Sequence, residues 1–208
     1  MIAYHWVKLM VSAVIGIQKT KMALLTELPT SPEQLTRFPF SRYDCLPSCQ
    51  DILWSIEWGI VRTITWNEEG GIIILGYWGN GDVVGQPLSG IYPYQMECLT
   101  SVEVTSIPAS EWCRVLDKIM THSRQTEELF SIIRSERVYN RLDKFLVWLG
   151  NKFGCQVPQG ILIDLRLTHQ NIAELIGTTR VTVTKLLKEL EAEGKIIRQQ
   201  RHYIILCQ

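Results

Sequence analysis

THQNIAELIGTTRVTVTKLLKEL, residues Thr168–Leu190, carries two helical stripes of apolar residues parted by a single glycine. Thr168 precedes His169-Gln170-Asn171, so its hydroxyl can cap a short helix whose inner face holds Ile172, Leu175 and Ile176. Gly177 supplies a helix end or tight turn, and Thr178-Thr179 opens a second helix. Val181 or Val183, together with Leu186, Leu187 and Leu190, holds that helix on the first. Two short helices meeting at a glycine turn are the geometry that lays a recognition helix into the major groove of DNA.

The residues left outside suit that use. Thr179, Arg180, Thr182, Thr184, Lys185 and Lys188 put hydroxyls and cations on one outward face, able to meet phosphates or base edges. Downstream, Gly194 ends the helix, and Ile196-Ile197-Arg198 with Tyr203-Ile204-Ile205-Leu206 predicts a small hairpin around Gln199–His202. Its strands finish the small core, while Arg198, Arg201 and His202 can lie along the phosphate backbone. The pattern is that of a winged helix, and a protein-binding winged helix is the alternative reading.

Upstream the period changes from 3.6 to two. Ile52, Trp54, Ile56 and Trp58 alternate with Leu53, Ser55 and Glu57, as the two faces of a strand do. Ile60–Trp66, the Asn67–Gly71 turn and Ile72–Trp78 predict a hairpin, and further strands are expected over Gln95–Leu99 and Ser101–Ile107. Short strands with close turns imply an antiparallel sandwich or barrel. After Pro108 the helical period returns. Ser110 is expected to cap a helix containing Trp112, Val115, Leu116 and Ile119, a second run starts near Ser123, and a third carries Leu142, Phe145, Leu146 and Leu149.

Length and composition fit this picture. The chain has 208 residues, 46% of them apolar, 20% charged and no net charge, which suits one large or two small globular domains. The neutrality is a cancellation: residues 1–136 carry 10 Lys and Arg against 15 Asp and Glu, and residues 137–208 carry 11 against 6, a swing from −5 to +5. A basic final third on an acidic body can attract a polyanion locally. Six scattered cysteines and no secretory leader pattern predict reduced thiols in the cytoplasm. The apolar stretch Val7–Ile17 is too short to span a bilayer and is interrupted by Lys8, so it reads as surface or edge structure, with no membrane role.

On the Thr168–Leu190 segment, and above all on Gly177-Thr178-Thr179-Arg180-Val181-Thr182-Val183-Thr184-Lys185-Leu186-Leu187, the chain resembles the Crp/Fnr family of bacterial transcription regulators, and specifically its cyanobacterial nitrogen-control branch. The resemblance implies an α+β architecture: an amino-terminal cyclic-nucleotide-binding-like β jelly roll over residues 1–119, a short connecting and dimerisation helix over 120–136, and a carboxy-terminal winged helix-turn-helix over 137–208. It implies a homodimer on double-stranded promoter DNA, with a contact to RNA polymerase. By the same resemblance Arg180 and Lys185 face bases or neighbouring phosphates, Thr182 the backbone or a base edge, and Gln170 a phosphate beside Thr168. Val181 stands where other members carry glutamate. A valine cannot accept from cytosine, but it can pack on a thymine methyl.

The sensor half departs from the family more sharply. Gly81-Asp82-Val83-Val84-Gly85 looks like the turn that opens the phosphate cassette, yet Gln86-Pro87 follows where cAMP-binding members place a glutamate, and no Lys or Arg occurs between Arg62 and Arg114. A buried phosphate there would rest on backbone amides alone. No cAMP response is expected, no cofactor is expected, and the effector stays open. Cys45-x-x-x-Cys49 with Cys98 and Cys113 raises an iron–sulfur option beside the plainer reading of small thiols. No carboxylate pair or nucleophile motif points to an enzyme. Leu129, Phe130, Ile132 and Ile133 read as one compact apolar group for the dimer seam.

Overall fold

The computed structural model describes residues 37–199 and 203–207. The Val7–Ile17 stretch, Arg201 and His202 therefore lie outside the described residues.

Alternation builds two antiparallel four-stranded sheets from the first half. Strands β1 (Arg37–Phe40), β8 (Val102–Pro108), β3 (Ile52–Trp58) and β6 (Val83–Val84) form one, in the order β1-β8-β3-β6. Strands β2 (Cys45–Leu46), β7 (Gln95–Cys98), β4 (Val61–Trp66) and β5 (Ile72–Trp78) form the other, in the order β2-β7-β4-β5. Leu46, Trp54, Ile56, Val61, Trp78, Met96 and Val104 fill the space between them, the interdigitated core of a sandwich. Strand β3 is buried on both faces, because Leu53 packs with Val83 and Ile107 under Trp112, Val115 and Ile119.

A bulge aims the second sheet's outer face. In the β4–β5 ladder Thr63 pairs with Gly76 but Ile64 pairs with Ile74, so Leu75 has no opposite residue. The extra residue turns Ile74 and Tyr77, three apart, to the same outer side. There they join Ile64 and the helices of the second half in one continuous core.

Two expectations need correction after Pro108. A 3-10 turn, Ala109–Val115, leads without a break into α1, Leu116–Ile133, and no side chain caps either element, so Ser110 is not a cap. Helix α1 is one rod of 18 residues, about 27 Å long, where two shorter runs were expected. No glycine or proline lies between Ile119 and Ser123 to break it, and the Thr121 hydroxyl donates back to the Asp117 carbonyl at 2.9 Å. The second correction concerns the expected seam. Leu129 and Ile132, 4% and 7% exposed, are buried within the chain beside α2, Val138–Phe153, whereas Phe130 is 60% exposed. The four residues do not form one outward group, because neighbours on a helix point about 100° apart.

The final third holds α3 (His169–Ile176), α4 (Arg180–Ala192) and a second sheet system ordered β11-β12-β10-β9, with β9 Gly154–Val157, β10 Gly160–Ile163, β11 Ile196–Gln199 and β12 Tyr203–Leu206. The β11–β12 hairpin is the expected one. The β9–β10 hairpin adds two strands to its far edge. Gly160 makes that edge possible: at φ +139°, a Cβ there would stand 1.9 Å from the Leu206 carbonyl oxygen.

Candidate nucleic-acid interface

The two helices of the quoted segment are set by their ends. Thr168 caps α3, its hydroxyl accepting the Asn171 amide at 3.1 Å, while Asn171 Oδ1 accepts the Thr168 amide at 3.2 Å. Gly177 closes α3 in the left-handed conformation, φ 65°, which a glycine adopts without steric cost. Thr179 then caps α4, its hydroxyl accepting the Thr182 amide at 3.1 Å and lying 2.9 Å from the Thr182 hydroxyl.

Burial decides which valine faces where. Val183 is fully buried with Leu187 and Leu190 against Ile172, Ala173 and Ile176, whereas Val181 is 79% exposed. Arg180, Lys185 and Lys188 are exposed on the same side, and none pairs with a carboxylate among the described residues. Together these four form an outward face that is cationic with one apolar spot.

Other candidate residues are spent inside the protein. The Thr184 hydroxyl donates to the Arg180 carbonyl at 2.9 Å and lies 2.8 Å from His169 Nδ1. With its one proton committed to the carbonyl, it accepts from the imidazole N–H. His169 thus ties the start of α3 to the second turn of α4, a role the sequence reading did not give it. Gln170 lies exposed on α3 and donates to Glu174 at 3.1 Å. Arg198, on the wing strand β11, holds Glu191 of α4 through Nε and Nη2 at 2.9 and 2.6 Å, and this pairing keeps the Glu191 carboxyl below its ordinary range. The wing is therefore pinned to the helix it flanks.

The sensor-like turn presents a contrasting picture. Gln86 opens a short 3-10 turn, Gln86–Leu88, and is buried. Its Oε1 accepts the Ser48 hydroxyl at 3.1 Å, and its Nε2 donates to the Ser89 and Ile91 carbonyls at 3.2 and 3.4 Å. Arg62, the cation nearest in sequence, is bound to Glu97 at 2.8 Å. Cys45 and Cys49 are half-buried, Cys98 buried and Cys113 exposed, none of them in a disulfide, and among the described residues no three of His, Cys, Asp or Glu gather as a metal-ligand set.

Residues 140–208 match the Crp-like helix-turn-helix domain family. The regulatory protein CysR of Synechococcus elongatus is 44% identical to the chain over 184 residues, an overlap that takes in 85% of this chain and 88% of the relative. The chain belongs to the Crp/Fnr family of transcription regulators. A global nitrogen regulator of Synechocystis is 37% identical over 115 residues, 50% of this chain and 51% of that protein. A Crp-family regulator of Thermus thermophilus shares the fold with a TM-score of 0.70 at 23% identity, over 82% of this chain and 92% of its own. This Crp/Fnr member is accordingly a DNA-binding transcription regulator with a cyclic-nucleotide-binding-type β domain before its helix-turn-helix. Among its described residues no helix is long and apolar enough to cross a membrane.

Proposed function

We propose that the protein acts in the cytoplasm as a homodimer that reads promoter DNA with α4 and binds no cAMP. The observation carrying the DNA reading is the start of α4, where Arg180 and Val181 stand exposed side by side on a capped helix of major-groove width. Arg180 is the base-reading fork for a guanine, and Val181 meets a thymine methyl. Thr179, Thr182, Lys185 and Lys188 meet phosphates beside them, and the α3 start at Thr168 and Gln170 meets the backbone across the groove. Thr184 serves by holding α4 on His169 rather than by touching DNA. Arg198 stays on Glu191 and supports the wing, and Arg201 and His202, which follow in sequence, are assigned to the phosphate backbone as well. Docking at a promoter brings the exposed jelly-roll surface within reach of RNA polymerase.

The dimer reading rests on α1. Leu116, Met120, Ser123, Glu127 and Phe130 are all exposed and recur at spacings of four and three, the heptad of a two-stranded seam. A seam on that spacing, with Leu116, Met120 and Phe130 as its apolar members, supplies the two-fold axis that places two recognition helices about one DNA turn, or roughly 34–36 Å, apart. Sedimentation of the wild type at micromolar concentration is expected to give twice the 23.9 kDa chain mass. Phe130→Glu is expected to shift it to the monomer and weaken binding to a duplex with two half-sites. A wild type that stays monomeric both free and on its target sinks the dimer.

A further inference from the structure

Lys152, on the last turn of α2, sends its ammonium into the joint where three elements meet. It pairs with Asp82 Oδ2, in the turn between β5 and β6, at 2.9 Å and donates to Gln125 Oε1 of α1 at 2.6 Å. Trp78, Trp148 and Phe153 present their rings to the same ammonium at 4.8, 5.3 and 5.5 Å, close enough for cation–π attraction. The pair is nearly sealed from solvent, with the Lys152 and Asp82 side chains 14% and 11% exposed. Asp82 is fixed in turn: its Oδ2 accepts the Gly79 amide at 2.8 Å and its Oδ1 accepts Gln125 Nε2 at 3.1 Å.

A buried ion pair is weak evidence for stability, since desolvation consumes much of its Coulomb attraction. What it supplies here is one permitted arrangement. Helix α1 carries the seam and α2 opens the winged-helix domain, and the link between them, Arg134–Arg137, is four residues long. A link of that kind does not by itself fix an angle. Leu129 and Ile132 pack α1 on α2 through apolar contact, and the directional contacts between the two helices are Lys152 to Gln125 and Trp148 Nε1 to Glu128 at 3.1 Å, with Asp82 bracing the first of them from the jelly roll.

We propose that Lys152 is a positioning residue for DNA binding: through Asp82 and Gln125 it sets the winged helix relative to α1, and so the separation of the two recognition helices. The proposal rests on the dimeric reading above. It predicts a defect in reading two half-sites together, with none in reading one.

The test compares duplexes carrying one half-site, two half-sites at the preferred spacing, and two half-sites moved apart by a base pair. Lys152→Met keeps the stem among the aromatic rings and removes the charge. It is expected to bind the two-half-site duplex about tenfold more weakly, or 1.4 kcal/mol, to bind the single half-site as the wild type does, and to lose the preference for one spacing. Asp82→Asn, which keeps the contact to the Gly79 amide, is expected to show the same pattern, and the double variant no more than either alone. Equal loss on one and two half-sites, or no loss on either, overturns the proposal. If the wild type itself does not prefer two half-sites over one, the dimeric reading fails and the proposal falls with it.

Discussion

The cassette turn of the jelly roll and the start of α4 are built alike and end in opposite states. Each is a glycine turn running into a short helical segment: Gly81 and Gly85 before Gln86–Leu88, Gly177 before α4. In the first, the polar side chain that follows turns inward, and Ser48 and the Ser89 and Ile91 carbonyls take up its hydrogen bonds. In the second, Thr179 and Thr182 satisfy the helix start locally, leaving Arg180 and Val181 free to face outward. The lesson is that a shared backbone motif does not make a site. A site needs polar groups that the protein's own chain has not already used.

Arg180→Ala gives the largest effect that would break this contrast. It is expected to cost about 1–3 kcal/mol of binding to the target duplex and far less on a scrambled one, with thermal stability unchanged. Titrating both duplexes at one salt concentration checks it, and equal losses on both would make Arg180 a phosphate contact only. Gln86→Ala should behave in the reverse way. Removing the buried Gln86 amide and its bonds to the half-buried Ser48 hydroxyl and two carbonyls is expected to cost about 0.5–1.5 kcal/mol of unfolding free energy, read by urea denaturation, while DNA affinity of the folded protein holds. A DNA defect without a stability defect would show that the turn communicates with α4.

A smaller effect concerns pH. His122 of α1 stacks flat on Trp78, ring centroids 3.8 Å apart, and its Nδ1 lies 2.9 Å from the Val83 carbonyl, so that nitrogen carries the proton. Burial lowers its pKa below the ordinary 6.5; the Val83 carbonyl and Asp82 oppose that shift and Lys152 adds to it. Above about pH 6.5 the ring is neutral in both folded and unfolded chains and contributes no slope. As pH falls below that value the unfolded chain binds the proton first, so stability declines until the folded pKa is reached. Unfolding curves at about pH 7.5 and 5.5 should differ more for the wild type than for His122→Gln. An identical pH slope in the two proteins would remove His122 from the account. The smallest expected effect is none: calorimetry with cAMP should show no saturable heat, and a one-per-subunit isotherm would mean that Arg62, Arg114 or Arg124 can be brought to the cassette.

What could be read in advance followed the strength of local signals. Strands β3, β4, β5, β7 and β8 alternate over four to seven residues and were legible, as were α3, α4 and the wing hairpin, whose apolar spacing and caps agree. Strand β1 contains Pro39 and among the described residues pairs only with β8, and β2 and β6 are two residues each, too short for a period to show. The β9–β10 hairpin left a usable signal in Val157-Pro158-Gln159-Gly160, proline second and glycine fourth in a four-residue turn before the apolar run Ile161–Ile163. At the interface, the exposure of Arg180, Lys185 and Lys188 followed from helical phase. The engagement of Thr184 with His169, of Arg198 with Glu191 and of Lys152 with Asp82 did not, because those partners lie 15, 7 and 70 positions away and meet only through tertiary packing.

The bulge in the β4–β5 hairpin carries a practical consequence for anyone dissecting this regulator. By placing Ile64, Ile74 and Tyr77 in the same core as Phe145, Ile172 and Leu187, it makes the jelly roll supply part of the interior of the DNA-binding half. A fragment beginning at residue 137 would leave that face wet, and a chimera joined there to a foreign sensor would inherit a mismatched wall. Exchange of modules between such proteins must carry the outer face of that one hairpin along with the helices it covers.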